Sequence, residues 1–203
     1  MKYLLLLPIA IMILASCSKD NELQKSVYVR DSKNPELPAY SEWGYNTFGA
    51  YYDRQPFVSN DYEVPAKLIV ADGSTSFFLT GQIGPYYNYS DANMTVTFIL
   101  RNFAPNLYNQ LILLNDSVID LKNPLIEVKI NIENTESEVK ILNGKLEFKH
   151  ARNLIVDTKP VGVILSGYFE FQAVVDTKPV TMSDGRFDVG VLRDNFYVMD
   201  EVD

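Results

Sequence analysis

The amino-acid sequence predicts an all-β fold, an antiparallel β-sandwich or a flattened barrel with one short crossover helix. The chain has 13 Tyr and 11 Phe against 1 Trp and 10 Gly, and aromatic residues favour pleated, half-buried surfaces over helices. From Trp43 onward, short segments of alternating apolar and polar residues are separated by turn residues. Repeated short strands of this kind are typical of sandwiches and barrels.

The strands are predicted from apolar residues that recur at every second position, which places them on one face of a sheet. Residues 125–133 give the clearest pattern, and residues 95–101 and 161–175 repeat it. Gly167 is expected to mark a bulge or bend in the last of these strands. The residues expected to face the core are Val96, Phe98, Leu100, Ile126, Val128, Ile130, Ile132, Val163, Leu165, Phe169, Phe171 and Ala173.

Turn residues predict how these strands are joined. Asp72-Gly73 and Asn143-Gly144 are each predicted to form a two-residue hairpin turn, in which both central positions need a positive φ. The hexapeptide Val-Asp-Thr-Lys-Pro-Val occurs at 156–161 and again at 175–180. Because Asp caps turns and Pro cannot donate into a ladder, we interpret it as one turn used at both ends of a long strand. Residues 106–114 are the predicted crossover helix, with Asn106 as its N-cap.

The first residues of the chain show the pattern of a secretion signal. A basic start is followed by an apolar run over residues 4–14, well short of the ~20 residues that span a bilayer. The run ends in Leu14-Ala15-Ser16-Cys17, a lipobox, in which cleavage precedes a cysteine that carries acyl chains. Two or three chains, at about 0.8 kcal/mol per buried methylene, anchor a protein permanently. The alternative is an ordinary signal peptide with a stray cysteine.

The sequence therefore divides into a signal peptide at 1–16, an acylated flexible tether at 17–41 and a single all-β domain at 42–203. The tether is predicted because this stretch is polar and shows no strand or helix periodicity. With Cys17 acylated no thiol remains, so the fold must rest on hydrophobic burial without disulfides. The net charge of -8 argues against nucleic-acid partners, which require a basic face.

Few residues suit catalysis or metal binding. His150 is the only histidine, and its parity with Leu146 and Phe148 predicts a structural side chain on the inner face. A zinc site would need carboxylates almost alone, which zinc rarely accepts. Asp184 is expected to cap a turn, and Asp188 is expected to face solvent from a strand. The sequence thus predicts no catalytic residue, no metal and no cofactor.

A tyrosine-rich loop is the predicted ligand-binding surface. Tyr86, Tyr87 and Tyr89 lie between Pro85 and Asp91, and exposed tyrosines offer apolar rings with polar tips that suit sugars or proteins. The alternative is that these rings fold down as a lid over the open end of the domain.

Short motifs follow one another in order through most of the mature chain. They are Asn46-Thr47-Phe48-Gly49-Ala50-Tyr51, Leu113-Leu114-Asn115, Ile119-Asp120-Leu121, Gly144-Lys145-Leu146-Glu147-Phe148, Leu165-Ser166-Gly167-Tyr168-Phe169-Glu170-Phe171 and Asp184-Gly185-Arg186-Phe187-Asp188-Val189. In this order they resemble a family of all-β Bacteroidetes lipoproteins of unknown function. The resemblance carries over no catalytic residue.

Two further motifs resemble signals of the same phylum. Lys19-Asp20-Asn21-Glu22 is similar to the acidic export signals of surface lipoproteins, the alternative being a solvated tether. Asp116-Ser117-Val118 is similar to an O-glycosylation motif, with Ser117 as the modified residue.

These observations predict an outer-membrane, surface-exposed lipoprotein that acts as a non-catalytic binding module for a glycan or a protein partner. A structural or assembly subunit of an envelope complex is the alternative. A carboxylate-dependent glycan hydrolase is the third hypothesis, since the 26 acidic residues leave a pair of catalytic carboxylates open.

Overall fold

The computed structural model of the protein describes residues 23–59, 64–84 and 92–199. The signal peptide, Cys17 and the 85–91 loop with Tyr86, Tyr87 and Tyr89 lie outside the described residues. The strands of the described residues are β1 (Thr47–Tyr52), β2 (Gln55–Ser59), β3 (Ala66–Ala71), β4 (Ser74–Ile83), β5 (Ala92–Arg101), β6 (Ser117–Asp120), β7 (Ile126–Ile132), β8 (Thr135–Ser137), β9 (Val139–Val156), β10 (Lys159–Val175), β11 (Lys178–Val191) and β12 (Phe196–Val198).

The strands form one curled sheet that closes halfway into a barrel, which confirms the all-β prediction. Neighbouring strands follow the order β6-β9-β10-β11-β1-β2-β4-β5-β7-β8. Strand β3 pairs with β4, and β12 pairs with β3 in parallel, whereas the other pairs are antiparallel. One face of the sheet encloses the apolar core, and the other is the outer face.

Three long strands dominate the sheet, and the repeated hexapeptide joins them as predicted. Strands β9, β10 and β11 contain 18, 17 and 14 residues. Asp157-Thr158 connects the first two, and Asp176-Thr177 connects the last two. Asp157, Thr158 and Asp176 have φ values of 50°, 67° and 52°, the conformation that two-residue hairpin turns need.

The two predicted Gly-containing hairpins have opposite outcomes. Asp72-Gly73 turns between β3 and β4 with φ values of 48° and 69°, so that prediction is confirmed. The prediction at Asn143-Gly144 is wrong, because β9 runs through both residues. A Cβ at Gly144 would lie 2.4 Å from the Cβ of Phe171 on β10. The glycine therefore permits a close approach between strands instead of a turn.

The core contains the inward residues that alternation predicts in the three strands. Val96, Phe98, Leu100, Val128, Ile130, Val163, Leu165, Phe169, Phe171 and Ala173 are all buried; Ile126 and Ile132 are partly buried against them. The rings of Phe98 and Phe169 meet edge to face with centroids 5.6 Å apart, an arrangement that aromatic pairs prefer.

Gly167 lies at a bulge, as predicted, and this bulge moves His150 to the other face. The pairing of β10 with β9 slips between Ser166 and Gly167, so that β9 carries one extra residue there. Phe148 and Ala151 are consequently both buried, although their parities differ. The prediction that His150 faces the core is wrong: its side chain is 39% exposed on the outer face.

The predicted crossover element is a 3-10 helix at Tyr108–Leu114. It connects β5 to β6, which lie toward opposite ends of the strand order, and it buries Leu111 and Leu114. Asn106 is not its N-cap, since the helix is capped at Leu107. The backbone N–H of Asn106 instead donates to the Gln110 side chain at 2.7 Å.

Residues 23–45 form a segment, here called the strap, that lies across the outer face of the sheet. Leu37 is completely buried, and Pro38 packs where a Cβ on Gly49 of β1 would lie, 2.4 Å away. Asp31 forms an ion pair with Arg186 of β11. The prediction of a flexible tether is therefore wrong for residues 23–41, and the folded part of the chain begins before the predicted domain start at residue 42.

Removing the buried leucine of the strap should destabilise the protein. We expect Leu37→Ala to lower the free energy of unfolding by about 2 to 5 kcal/mol, because the side chain leaves a cavity. Leu113→Ala is the matched control, since Leu113 is 74% exposed and should change stability by less than about 0.5 kcal/mol. Urea titration measures both. Equal stability of the two variants would mean that burial of Leu37 does not stabilise the protein.

The ion pair of the strap should make the free energy of unfolding depend on pH in the acidic range. The backbone N–H of Lys33, together with the Arg186 guanidinium, holds the pKa of Asp31 below its usual 3.8. A lowered folded-state pKa stabilises the protein above the unfolded value and loses that stabilisation as pH falls through the folded pKa. Wild type should therefore be more stable than Asp31→Asn at pH 7, and the difference should shrink below about pH 4 in urea titrations. A difference that grows in acid would contradict this assignment.

Candidate functional site

The outer face of the three long strands carries the candidate site, because the strap leaves only part of this face covered. Alternate residues of β10 point outward, beginning with Ile164 and Ser166 under the strap. Gly44 of the strap lies directly over Ile164, and a Cβ there would be 3.2 Å from Ile164 Cγ1. Farther along β10, Glu170 and Gln172 are exposed. The covered and the open parts meet near Tyr168.

A buried carboxylate fixes the strap on the sheet. Asp188 of β11 is only 1% exposed, so the prediction that it faces solvent is wrong. It accepts hydrogen bonds from the backbone N–H groups of Gly44 at 2.8 Å, Tyr45 at 3.0 Å and Trp43 at 3.2 Å. The Ser41 hydroxyl donates to the same carboxylate. Successive N–H groups around one anion form a rigid concavity, so Asp188 sets the backbone conformation at Trp43. Asp184, by contrast, is exposed, but the prediction that it caps a turn is wrong, because β11 runs through it.

Asn46 secures the beginning of the strap in a similar way. Its side chain is completely buried and donates to the carbonyls of Leu23 at 2.8 Å and Lys25 at 3.3 Å. Its amide oxygen accepts from the backbone N–H of Gly190 at 2.8 Å. The strap is therefore fixed both at its start and beside Trp43.

The strap and β9 together present a polar cluster with one exposed indole. We call Tyr40, Glu42, Trp43, His150 and Arg152 the strap cluster. Trp43, the only tryptophan of the chain, is 69% exposed, and the Arg152 guanidinium lies 5.4 Å from the centroid of its ring. Arg152 also donates to the backbone carbonyl of Glu42. Cation–π contact of this kind orients both side chains.

Glu42 connects the remaining members of the strap cluster. One of its carboxylate oxygens accepts from the Tyr40 hydroxyl at 3.0 Å and lies 3.1 Å from His150 Nε2. The Tyr40 ring stacks on Tyr168 with centroids 4.4 Å apart. Burial raises the pKa of Tyr40 far above its usual 10.0, and the hydrogen bond to Glu42 raises it further. Tyr40 is therefore a hydrogen-bond donor throughout the physiological pH range.

The strap cluster and the neighbouring Ser166 bring a serine, a histidine and a glutamate near one another without forming a catalytic triad. Ser166 pairs with His150 across β10 and β9, and His150 contacts Glu42. However, Ser166 is 0% exposed, and no hydrogen bond joins its hydroxyl to His150. A serine nucleophile must be reachable by substrate and bonded to its base. This arrangement satisfies neither condition.

An open groove continues from the strap cluster along β10. It consists of two adjoining cavities of about 370 and 280 Å³, here called the outer groove. Tyr168 and Arg186 line its end at the strap, and Gln172, Thr181 and Ser183 line the other end. Lys145 and Glu170 line both cavities. The walls thus offer hydroxyl, amide, ammonium and carboxylate groups along one continuous path.

Two carboxylates of the outer groove share one lysine. The Lys145 ammonium lies 3.7 Å from Glu147 and 3.7 Å from Glu170. A glycosidase needs two carboxyl groups that face each other across a scissile bond. Here the ammonium group is within ion-pair distance of both, so each of these carboxylates has a cationic partner within the protein.

The other predicted site residues are placed apart from this surface or are not described. Ser117 begins β6, whose neighbour in the described sheet is β9. Its hydroxyl donates to the Leu114 carbonyl at 2.6 Å, and the neighbouring Val118 is 64% exposed. Cys17 and the three loop tyrosines lie outside the described residues, so those assignments stay predictions.

Sequence reasoning missed the strap cluster as a site. The composition could have indicated it, because the chain has a single tryptophan and a single histidine.

Within the described ranges, no three His, Cys, Asp or Glu side chains are grouped as they would be around a metal ion. The described part of the chain also contains no helix with the length and apolarity needed to span a bilayer.

The assignments above rest on the geometry of the chain, because comparisons with known proteins add nothing to them. No protein-family model, no curated protein and no solved structure matches the chain.

Loss of the buried carboxylate should release the strap. We expect Asp188→Asn to lower the free energy of unfolding by about 2 to 5 kcal/mol, because an amide replaces a charged acceptor of several buried donors. The anisotropy of Trp43 fluorescence should fall as well, since its backbone is no longer fixed. Asp184→Asn makes the same chemical change at an exposed position and should alter neither quantity. Unchanged anisotropy in Asp188→Asn would refute the role of this carboxylate.

Proposed function

We propose that the protein is an outer-membrane lipoprotein, exposed at the cell surface, whose β-domain is a non-catalytic binding module for a glycan. The single observation that supports this most is Trp43. It is the only tryptophan, it is 69% exposed, and a buried carboxylate holds its backbone in place. A rigid, exposed aromatic ring provides binding area with little loss of conformational entropy on binding.

The surroundings of Trp43 favour a glycan over a protein partner. A sugar ring has an apolar C–H face, which packs on an aromatic ring, and a rim of hydroxyl groups. Glu42, His150 and Arg152 supply acceptors and donors beside the indole. Protein interfaces centre on a contiguous apolar patch with charged residues at the rim, whereas Trp43 stands among charged side chains.

The outer groove favours an extended and neutral glycan. From Ile164 near Trp43 to Gln172 in the groove, β10 advances about 26 Å at roughly 3.3 Å per residue. The polar lining of this path matches the successive hydroxyl groups of a sugar chain. The formal net charge of -8 opposes long-range attraction of acidic polysaccharides, so a neutral chain is the better ligand.

The absence of catalysis is part of this proposal. Lys145 is within ion-pair distance of both groove carboxylates, and the serine beside His150 is buried. A subunit that only assembles into an envelope complex is the alternative function. The predicted loop residues Tyr86, Tyr87 and Tyr89 remain candidates for an additional contact with the glycan or with a protein partner.

Removing the indole should abolish binding without unfolding the domain. We expect Trp43→Ala to weaken binding of a neutral oligosaccharide at least 10-fold on a glycan array and in calorimetry. Its melting temperature should stay within about 2 °C of wild type, because an exposed side chain contributes little to stability. Leu113→Ala removes an equally exposed apolar side chain away from the site and should bind as wild type does.

Two outcomes would contradict the proposed function. Wild type that binds no array glycan but copurifies with a membrane complex would favour the assembly subunit. Binding that survives Trp43→Ala unchanged would remove the strap cluster from the ligand site.

A further inference from the structure

We propose that one end of the half-barrel, formed by Gln24, Lys67 and Tyr197, rests on the lipid surface of the membrane. This inference rests on the acylation of Cys17 in the proposed function and adds an orientation to it. The sequence alone predicts a flexible tether at 17–41, which would hold the domain away from the lipid. The structure supports the opposite arrangement, because most of that segment is the folded strap.

The chain between the lipid anchor and the domain is short. Leu23 is six residues after Cys17, and six residues span at most about 20 Å. The carbonyl of Leu23 already accepts a hydrogen bond from the buried Asn46 side chain. Gln24 donates to Asp194 at 2.9 Å. The domain is therefore attached to the membrane at this end.

The opposite end of the domain is too far away to compete for the membrane. Strand β11 runs from Lys178 to Val191, about 40 Å at the usual rise per residue. Asn195, which follows it, donates to the carbonyls of Ala66 and Gly190 and so belongs to the attached end. The Asp176-Thr177 turn before β11 marks the other end. An anchor with a reach of about 20 Å keeps this turn away from the lipid.

The chemistry of the attached end suits a bilayer interface. Tyr197 is 43% exposed, and its hydroxyl donates to the Asp194 carbonyl at 2.5 Å. The Lys67 ammonium lies 4.8 Å from the centroid of the Tyr197 ring. Together with Gln24 and Asn195, these residues surround a shallow cavity of about 260 Å³. Tyrosine and lysine both place an apolar body in the headgroup region and a polar tip in water.

The tether supplies the affinity that the surface alone lacks. The formal net charge of -8 argues against attraction to anionic headgroups as the main force, so the contact relies on the anchor and on the interfacial side chains. A short linker raises the effective concentration of a tethered surface to the millimolar range. A small interfacial patch is then sufficient for stable contact.

Fluorescence quenching on vesicles tests this orientation with the full mature protein. Acylated protein is reconstituted in phosphatidylethanolamine and phosphatidylcholine vesicles that contain a headgroup-nitroxide lipid. A fluorophore is attached through Val198→Cys beside Tyr197 or through Thr177→Cys at the opposite end. Each new thiol is unique, because the chain has a single native cysteine and the acyl group blocks it. We expect quenching at position 198 to exceed that at position 177 at least three-fold.

Two further variants separate lipid contact from mere proximity. Tyr197→Asp should reduce quenching at position 198 at least two-fold, and a 20-residue Gly/Ser insertion after Asp20 should do the same. Equal quenching at positions 198 and 177, or no effect of Tyr197→Asp, would overturn the docking while leaving the anchor intact. Palmitate labelling that does not differ between wild type and Cys17→Ala would instead overturn the lipoprotein assignment, and the docking with it.

Discussion

The buried carboxylate of Asp188 is the interaction on which the arrangement of this protein depends. A charged group in a nearly dry environment is costly unless several donors surround it. Asp188 finds those donors in the backbone of residues 43–45 and in the Ser41 hydroxyl. The need to satisfy one charge therefore determines the path of an irregular segment. The same contact holds the only tryptophan in a fixed position at the surface.

The three long strands explain why the outer face can serve as a site. The outward residues of β10 alternate without interruption from Ile164 to Gln172, so this strand places strap, cluster and groove along one direction. Gly144 and Gly167 allow these strands to approach where side chains would collide with a neighbouring strand. The glycines therefore do not end the strands, as the sequence suggested for Gly144. Both glycines lie in the sheet that separates the core phenylalanine rings from the outer groove.

Much of the fold could be predicted from sequence because it is encoded locally. Strand alternation and the repeated Asp-Thr turns depend on neighbours a few residues apart, and both are confirmed. Most of the errors concern features that depend on distant residues. His150 changes face because of a slip in pairing with β10, and Asp188 is buried by a segment 147 residues earlier in the chain. The strap carries no periodic pattern, so nothing in its own sequence indicates that Leu37 is buried.

The separation of the strap from its partners in sequence has a consequence for how the chain folds. The meander of β9, β10 and β11 closes through two-residue turns, and local hairpins form quickly. The strap is synthesised before β11 but cannot dock until β11 has formed. Closing so large a loop carries an entropic cost that only late contacts offset. Docking of the strap is then among the last steps of folding. Because Trp43 and Arg152 come together only at that step, the strap cluster is complete only when the whole domain has folded.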